Sequence, residues 1–505
     1  MGLKDNFVRR GYIPSEFIPP FKSESLADAL GSLPGDFSAY GKLASKCCYH
    51  SIPKLKHFRR LIALPNPLHQ TILAQAFETH WDEIEGHINR SSISLSTLAE
   101  DTSKQNALRR KVSLDDLPLQ RSLRSSSARF VLRADLSRFY PTLYTHSVSW
   151  ALHSKVVAKA RKSDKSLAGN ALDAAVRNTQ DQQTLGIPVG PETSDLIAEI
   201  IGGAIDKQLE RTAPNLVGIR YVDDFYLYFG TRAEAEQALA ALIAAAKEYE
   251  LEINQSKTEI VELPESLEPR WKTELRSFVI RPELQHQDLL GFFSRAFDLA
   301  NMFPGHNVLK YAVARSSGVT VDKDNWPLYE SFLLTSLIGE PALFPVAAQV
   351  LTKYRDDGYP LNLDESKRTL WEICLYHCRF RQGFEVAWAL WLAKLFELII
   401  PDDVSSEIAV LDDPVVAIVA LDLRDRGLIS TLDTSKWDNS MTGDDLYSAG
   451  WLISYEARIK DWLPSKNGDD YIGADPFFSD LRRLDIYFYD PAEGRPAVPS
   501  MWEGY

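Results

Sequence analysis

Three aspartates stand out as groups whose type and spacing could do chemistry. Asp223 and Asp224 are adjacent and lie between two apolar runs, VGIRY and FYLYF. An acidic pair has no packing use there, and two carboxylates held so close repel unless a cation lies between them, so they call for a divalent metal. Asp-Asp is also frequent in turns, and Asp412 with Asp413, just before an apolar helical segment, reads as a cap instead. Asp135 ends a third apolar run, FVLRAD, and could converge on the first two. Three carboxylates can hold two Mg2+ ions, with Mn2+ as an alternative, one acidifying an attacking hydroxyl and one clamping a departing pyrophosphate. That is the chemistry of nucleotidyl transfer.

Such a site needs a small sheet to bring the three acids together. FVLRAD alternates like a strand, and VGIRY with FYLYF reads as a β-hairpin carrying the acid pair at its tip. The turn LGIPVGP opens a helix with Ile197, Ile200, Ile201, Ala204 and Ile205 on one face. A second helix, from about Arg232 to Tyr249, presents Leu239, Leu242, Ile243 and Ala246, and a strand-like LEIN precedes Lys257. Strand, helix, hairpin, helix, strand is an α+β order. After about residue 282 the strand signal fades and apolar helical segments follow at 342–354, 368–381, 384–399, 413–426 and 445–460. Asp413 can cap one of these, Pro414 suits its first turn and Gly427 can end it. The expected organisation is an α+β domain over 1–280 and an all-α, HEAT-like helical-repeat domain over 281–505.

Composition bounds the alternatives. The chain has 505 residues, 45% hydrophobic and 25% charged, which excludes disorder as its main state. Four cysteines cannot build a disulfide framework, and Cys374, His377 and Cys378 on one helix are short of metal ligands and read as core, as do Trp388 and Trp391. No stretch has the apolar length of a membrane span, and the first residues lack a signal-peptide core, so a cytoplasmic protein without membrane contact is expected. The net charge of -13 divides into +1 over 1–280 and -14 over 281–505. Three basic clusters lie in the first part, at Gly41–Arg60, Lys104–Arg133 and Lys155–Lys165, leaving a nucleic-acid partner compatible with the acidic total.

Arg220-Tyr221-Val222-Asp223-Asp224 resembles the Tyr-x-Asp-Asp signature of reverse transcriptases. In order along the chain, ADLSRFYPTLYTHS resembles the first palm motif, GIPVGPETS the glycine-proline-glycine motif before the palm helix, and LEINQSKT a later palm motif. The resemblance implies a fingers and palm fold with Asp135, Asp223 and Asp224 as metal ligands. It further implies Lys257 as proton donor to pyrophosphate, Gly190 as a substrate-binding position, and Tyr140 as the ring beneath the sugar that favours deoxynucleotides. RRLIALPNPLHQ is similar to the fingers segment that supplies a triphosphate-binding basic residue, pointing to Arg60 ahead of Arg59.

Within that superfamily, DLSRFYPTLYTHSVSW, GIPVG and RYVDDF resemble most the abortive-infection reverse transcriptases of bacteria and prophages. This implies antiphage defence, template-free and protein-primed DNA synthesis from deoxynucleoside triphosphates, single-stranded DNA covalently attached to the protein, and a homo-oligomer, trimer or hexamer. Val189 stands where a glutamine is usual and cannot hydrogen-bond a nucleotide or template through its side chain. Tyr12, expected in a mobile N-terminal segment, is the first choice as priming hydroxyl, with Tyr40 and Tyr49 behind it. The alternatives are a templated RNA-directed DNA polymerase working with a dedicated RNA, and a helical scaffold that binds a phage or host protein.

Overall fold

A computed structural model describes residues 2–55, 58–103, 105–213 and 215–494. The chain forms two compact units that do not follow one linear cut. One comprises the residues up to Pro14, Ser23–Cys47 and Ala63–Leu267; the other comprises Ser15–Lys22, Cys48–Ile62 and the residues from Glu268 onward. The expected boundary at 280 therefore differs from the observed grouping. The two N-terminal segments and the helix Arg270–Ser277 fall with the second unit.

The first unit is built on a four-stranded antiparallel sheet in the order Val217–Tyr221, Asp224–Phe229, Phe130–Asp135, Glu259–Glu262. Its strands have the β-branched and aromatic content that suits a pleated surface. Leu132 and Ala134 pair with Leu227 and Phe225 on one face, and all four are buried, while the helix Arg232–Glu248 packs against the central strands. That helix starts with a reciprocal capping box between Thr231 and Glu234. Gly218 on the edge strand has no room for a side chain, because a Cβ there would meet Leu227 Cδ2 at 2.6 Å. The strand expected over LEIN is reduced to a single bridge of Ile253 to Leu136. The ladder forms instead at Glu259–Glu262, beyond a short 3-10 turn at Gln255–Lys257. Asn254 explains the displacement, since its side chain accepts the Ser256 N–H and turns the chain.

The helix Glu192–Thr212 carries the long apolar face expected of it, with Ile197, Ile200, Ile201 and Ile205 all buried. The unit also contains a small hairpin, Leu98–Glu100 with Leu108–Arg110, and the helix Pro67–Thr79 packed against both Leu3–Arg9 and Ala168–Thr179.

The second unit is helical apart from the strand Cys48–Leu55 and the start of its partner Phe58–Leu64. Its helices include Phe344–Asp356, Leu363–Arg379, Gly383–Leu395, Pro414–Asp425 and Trp451–Ile459. Asp413 caps one of them by accepting the N–H groups of Val415 and Val416 at 3.0 and 3.2 Å, and Gly427 follows its end with φ 75°. Cys374, His377, Cys378, Trp388 and Trp391 are all buried. No helix among the described residues is long and apolar enough to cross a membrane.

Candidate active site

The strand Phe130–Asp135 runs antiparallel to Asp224–Phe229 in a register that sets Asp135 directly opposite Asp224. Val222, at φ 58°, and Asp223 form the two-residue turn that returns the chain into Asp224, and the Asp223 carbonyl accepts the Leu136 N–H at 3.0 Å. The three aspartates thus meet at one end of the sheet because the pairing leaves them no other place.

Asp135 is buried and already engaged. One oxygen accepts Lys257 Nζ at 2.6 Å and the other accepts Asn254 Nδ2 at 3.0 Å. Lys257 is held above its ordinary pKa chiefly by that bond. Asp224 is pushed up to about 7, first by burial, then by the charges of Asp223 and Asp135, with Lys257 opposing. A carboxyl whose neighbours make its own ionisation costly marks a site that would welcome an added cation. The donor chemistry therefore fits a divalent ion held by Asp135, Asp223 and Asp224. Among the described residues no three acidic, His or Cys side chains are already arranged as a metal cage, which agrees with Lys257 and Asn254 occupying both oxygens of Asp135.

Beneath the turn lies a buried ion cluster that sequence reading missed. Arg220 is fully buried. It meets Glu199 with Nη1 at 3.0 Å and Nη2 at 2.8 Å, and Asp206 through Nε at 2.8 Å. Its Nη1 also donates to the Val222 carbonyl at 3.0 Å, while Ser96 Oγ accepts the Val222 N–H at 2.9 Å. Both polar groups of the turn residue are tied down from below. Burial outweighs Arg220 at Asp206, pushed up to about 6, whereas at Glu199 the Arg220 charge and hydrogen bonds outweigh burial and hold the carboxyl low. Gly202 makes the arrangement possible inside a helix, for a Cβ there would meet Arg220 Cζ at 2.6 Å.

Tyr140 follows Asp135 on a short helix, Phe139–Thr142. Its carbonyl accepts the Ile187 N–H at 3.0 Å and its hydroxyl donates to Asp195 Oδ1. Gly186 at φ 84° and Gly190 at φ 128° shape the loop between, conformations that suit glycine. Val189 is held through its backbone, its carbonyl accepting the Ala63 N–H at 2.7 Å.

Other expectations fare differently. Arg59 is committed to a bidentate pair with Glu385 at 2.5 and 2.8 Å within the second unit. Arg60 is exposed and belongs to that same unit, whereas the aspartates belong to the first. Arg59→Ala should therefore destabilise the protein by about 3 kcal/mol or more, depriving buried Glu385 of its bidentate partner and leaving it His377 at 3.9 Å, whereas Arg60→Ala should stay within about 0.5 kcal/mol. Urea unfolding checks both, and equal effects would contradict the assignment. The mobile segment expected around Tyr12 needs correction. Tyr12 is fully buried and its hydroxyl donates to the Pro65 carbonyl at 2.6 Å, because the helix before it packs Phe7 against Phe77. Tyr40 is partly exposed in the same unit, and Tyr49, 46% exposed, lies in the other. Part of the basic clusters is paired with acids, as in Arg121–Glu265, Arg129–Glu262, Arg133–Glu259 and Arg161–Asp164; Lys56, His57 and Lys104 lie outside the described residues.

Residues 87–278 match the family model described as reverse transcriptase (RNA-dependent DNA polymerase). The chain contains a reverse-transcriptase domain. That domain holds Asp135, Tyr140, Gly190, Asp223, Asp224 and Lys257 but neither Arg60 nor Tyr12. Domains of this description are nucleotidyltransferases of the DNA-polymerase type, a class that generally uses divalent metal ions. Among solved structures the chain is similar to telomerase from Candida albicans in complex with a TWJ fragment of telomeric RNA, at 13% identity and TM-score 0.30, covering 64% of this chain. It spans 63% of the length of that telomerase. It is also similar to apo telomerase from Candida tropicalis, at 12% identity and TM-score 0.30, covering 65% of this chain and 68% of that one. No curated protein matches the chain significantly in sequence.

In the reverse-transcriptase domain Asp135, Asp223 and Asp224 would hold the metal, which when bound lowers the pKa of an attacking hydroxyl and neutralises phosphate charge. The chain's own groups do the rest. Arg220 and Ser96 hold the turn, and Tyr140, five positions after Asp135, is held by its hydroxyl on Asp195. Lys257, released from Asp135, is a cation able to hand a proton to a leaving oxygen.

Proposed function

We propose that the protein is a reverse-transcriptase-type DNA polymerase that works without a template, adds deoxynucleotides to a DNA strand attached to one of its own tyrosines, and serves antiphage defence by abortive infection. The observation that carries the polymerase part is the register that opposes Asp135 to Asp224 beside Asp223, with Lys257 on Asp135. Template independence is supported by Val189, which meets its surroundings through its backbone and offers no side-chain donor. Priming and the defence role rest on the motif wording. Tyr12 would have to leave the Pro65 carbonyl to prime, so the partly exposed Tyr40 becomes the stronger candidate in that unit. We place the protein in the cytoplasm, as a homo-oligomer, trimer or hexamer. Its second unit, with consecutive helices on short links, supports a HEAT-like repeat reading. Arg60, exposed on its strand, is proposed to contact triphosphate, and Gly190 to let the substrate approach closely.

The family's description as RNA-dependent favours a second reading, a templated enzyme using a dedicated RNA. Purified protein incubated with Mg2+ and labelled deoxynucleotides, without primer or template, decides between them. Label that migrates with the protein on a denaturing gel and disappears on proteolysis supports the first reading, and Tyr12→Phe and Tyr40→Phe then locate the attachment. Synthesis that appears only with added RNA and copies it supports the second.

A further inference from the structure

We propose that Asp195 sets the sugar preference of this site as a positioning residue, by tethering the Tyr140 ring, and that Arg110 holds Asp195 in place for it. The inference rests on the reverse-transcriptase reading and concerns two residues that no motif singles out.

An aromatic ring excludes a 2′-hydroxyl only while its position is fixed to a fraction of an ångström. Tyr140 sits on a helix of four residues, which cannot by itself lock a side chain. Its backbone is held by the Ile187 N–H and its ring rests edge-on against Phe139, with centroids 5.8 Å apart. The far end of the ring is fixed by one bond, from its hydroxyl to Asp195 Oδ1. A bond from a hydroxyl to a carboxylate is about twice as strong as a neutral one. The hydroxyl remains a donor at every working pH, since burial and the charge of Asp195 keep its pKa well above 10.

Asp195 is itself positioned twice. It lies in the first turn of the helix Glu192–Thr212, where the helix dipole favours a negative charge. Its other oxygen faces Arg110 Nη2 at 3.5 Å. Arg110 ends the small hairpin and lies over the Tyr221 ring, 5.7 Å from its centroid. Tyr221 precedes the Val222–Asp223 turn, so Tyr221, Arg110, Asp195 and Tyr140 form one chain of contacts from the metal-site hairpin to the sugar wall. The Asp195 side chain keeps 34% exposure, too open for a load of core stability. Its loss should free the ring and leave the fold intact.

Equilibrium binding of α,β-methylene dGTP and α,β-methylene GTP with Mg2+, compared as a ratio of Kd values, tests this without turnover. Wild type should prefer the deoxynucleotide. Asp195→Ala and Tyr140→Phe, the latter keeping the ring but losing the tether, should each lower that preference by about tenfold, the worth of one charge-assisted hydrogen bond. The double variant should lower it no further, because both changes remove the same bond. Asp195→Asn keeps an oxygen acceptor and should restore most of the preference. Undiminished preference in Asp195→Ala or Tyr140→Phe overturns the tether. A wild type that binds both analogues equally removes the sugar wall together with its tether, and one that binds neither removes the polymerase reading beneath them. Thermal midpoints identify any variant that fails to fold, and Tyr140→Phe and Asp195→Asn carry the test if Asp195→Ala is that one.

Discussion

Asp224→Asn is expected to reduce deoxynucleotide addition by about 10²–10³-fold or more, while making the metal-free protein at least as stable as the wild type at neutral pH. The two effects have one cause. Asp224 is partly buried against Asp223 and Asp135, and burial with those charges pushes it up to about 7, from an ordinary value near 3.8. The folded protein therefore keeps a proton between about pH 4 and 7 that the unfolded chain has released, so metal-free stability falls as pH rises through that window. The shift corresponds to at most about 4 kcal/mol of like-charge and desolvation cost above pH 7. Asparagine abolishes that cost and, with it, the charge that would hold a metal. Melting curves in EDTA from pH 5 to 8 should show the wild type losing stability as pH rises and Asp224→Asn losing less. Added Mg2+ should raise the wild-type midpoint at pH 8 and leave that of Asp224→Asn nearly unchanged. A variant that melts well below wild type at pH 8 in EDTA, or keeps more than about a tenth of the rate, would show that the acids are structural.

Arg220→Met should do the opposite, losing stability and activity together. Arg220 is fully buried between Glu199 and Asp206, themselves buried, and removing one member of a buried ion cluster typically costs about 3–5 kcal/mol because the remaining charges have no solvent. The Val222 carbonyl simultaneously loses its donor, so of the two bonds that tie Val222 to Arg220 and Ser96 only the Ser96 one is left to help aim Asp223 and Asp224. Urea unfolding measures the first effect and nucleotide addition the second. The triple variant Arg220→Met, Glu199→Gln, Asp206→Asn separates them. Stability should largely return once no charge is left unpaired, while activity should not, since nothing donates to Val222. Full activity in the triple variant would mean that Arg220 serves folding alone.

The parts of the site that lie in continuous segments could be read from residue order. FVLRAD is a strand ending on Asp135, and VGIRY with FYLYF form the hairpin around Val222 and Asp223, as short apolar runs bounded by turn residues suggest. The cap at Asp413 was equally legible, since capping is settled within one turn of helix. LEIN failed as a strand for a local reason too, the turn made by Asn254, which alternation does not register.

Long-range partners were not legible. Nothing in the neighbourhood of Arg220 announces Glu199 and Asp206, and nothing near Tyr140 announces Asp195 or Arg110. Gly202 looks like a poor helix residue until the guanidinium beside it is seen. Arg59 and Arg60 are neighbours of one type, yet one is paired to a buried glutamate 326 positions away and the other is exposed. Tyr12 shows the same limit, since a mobile segment was expected around it while the packing of Phe7 on Phe77 buries it.

Residue order alone determined the strand that ends on Asp135 and the hairpin that carries Asp223 and Asp224, because backbone hydrogen bonding and side-chain patterning act over a few positions. Only the tertiary structure decided which charges are paired, which hydroxyl is bound and which arginine is spent. Those outcomes depend on which distant groups share a desolvated volume, where a charge without a partner costs several kcal/mol and so selects its partner.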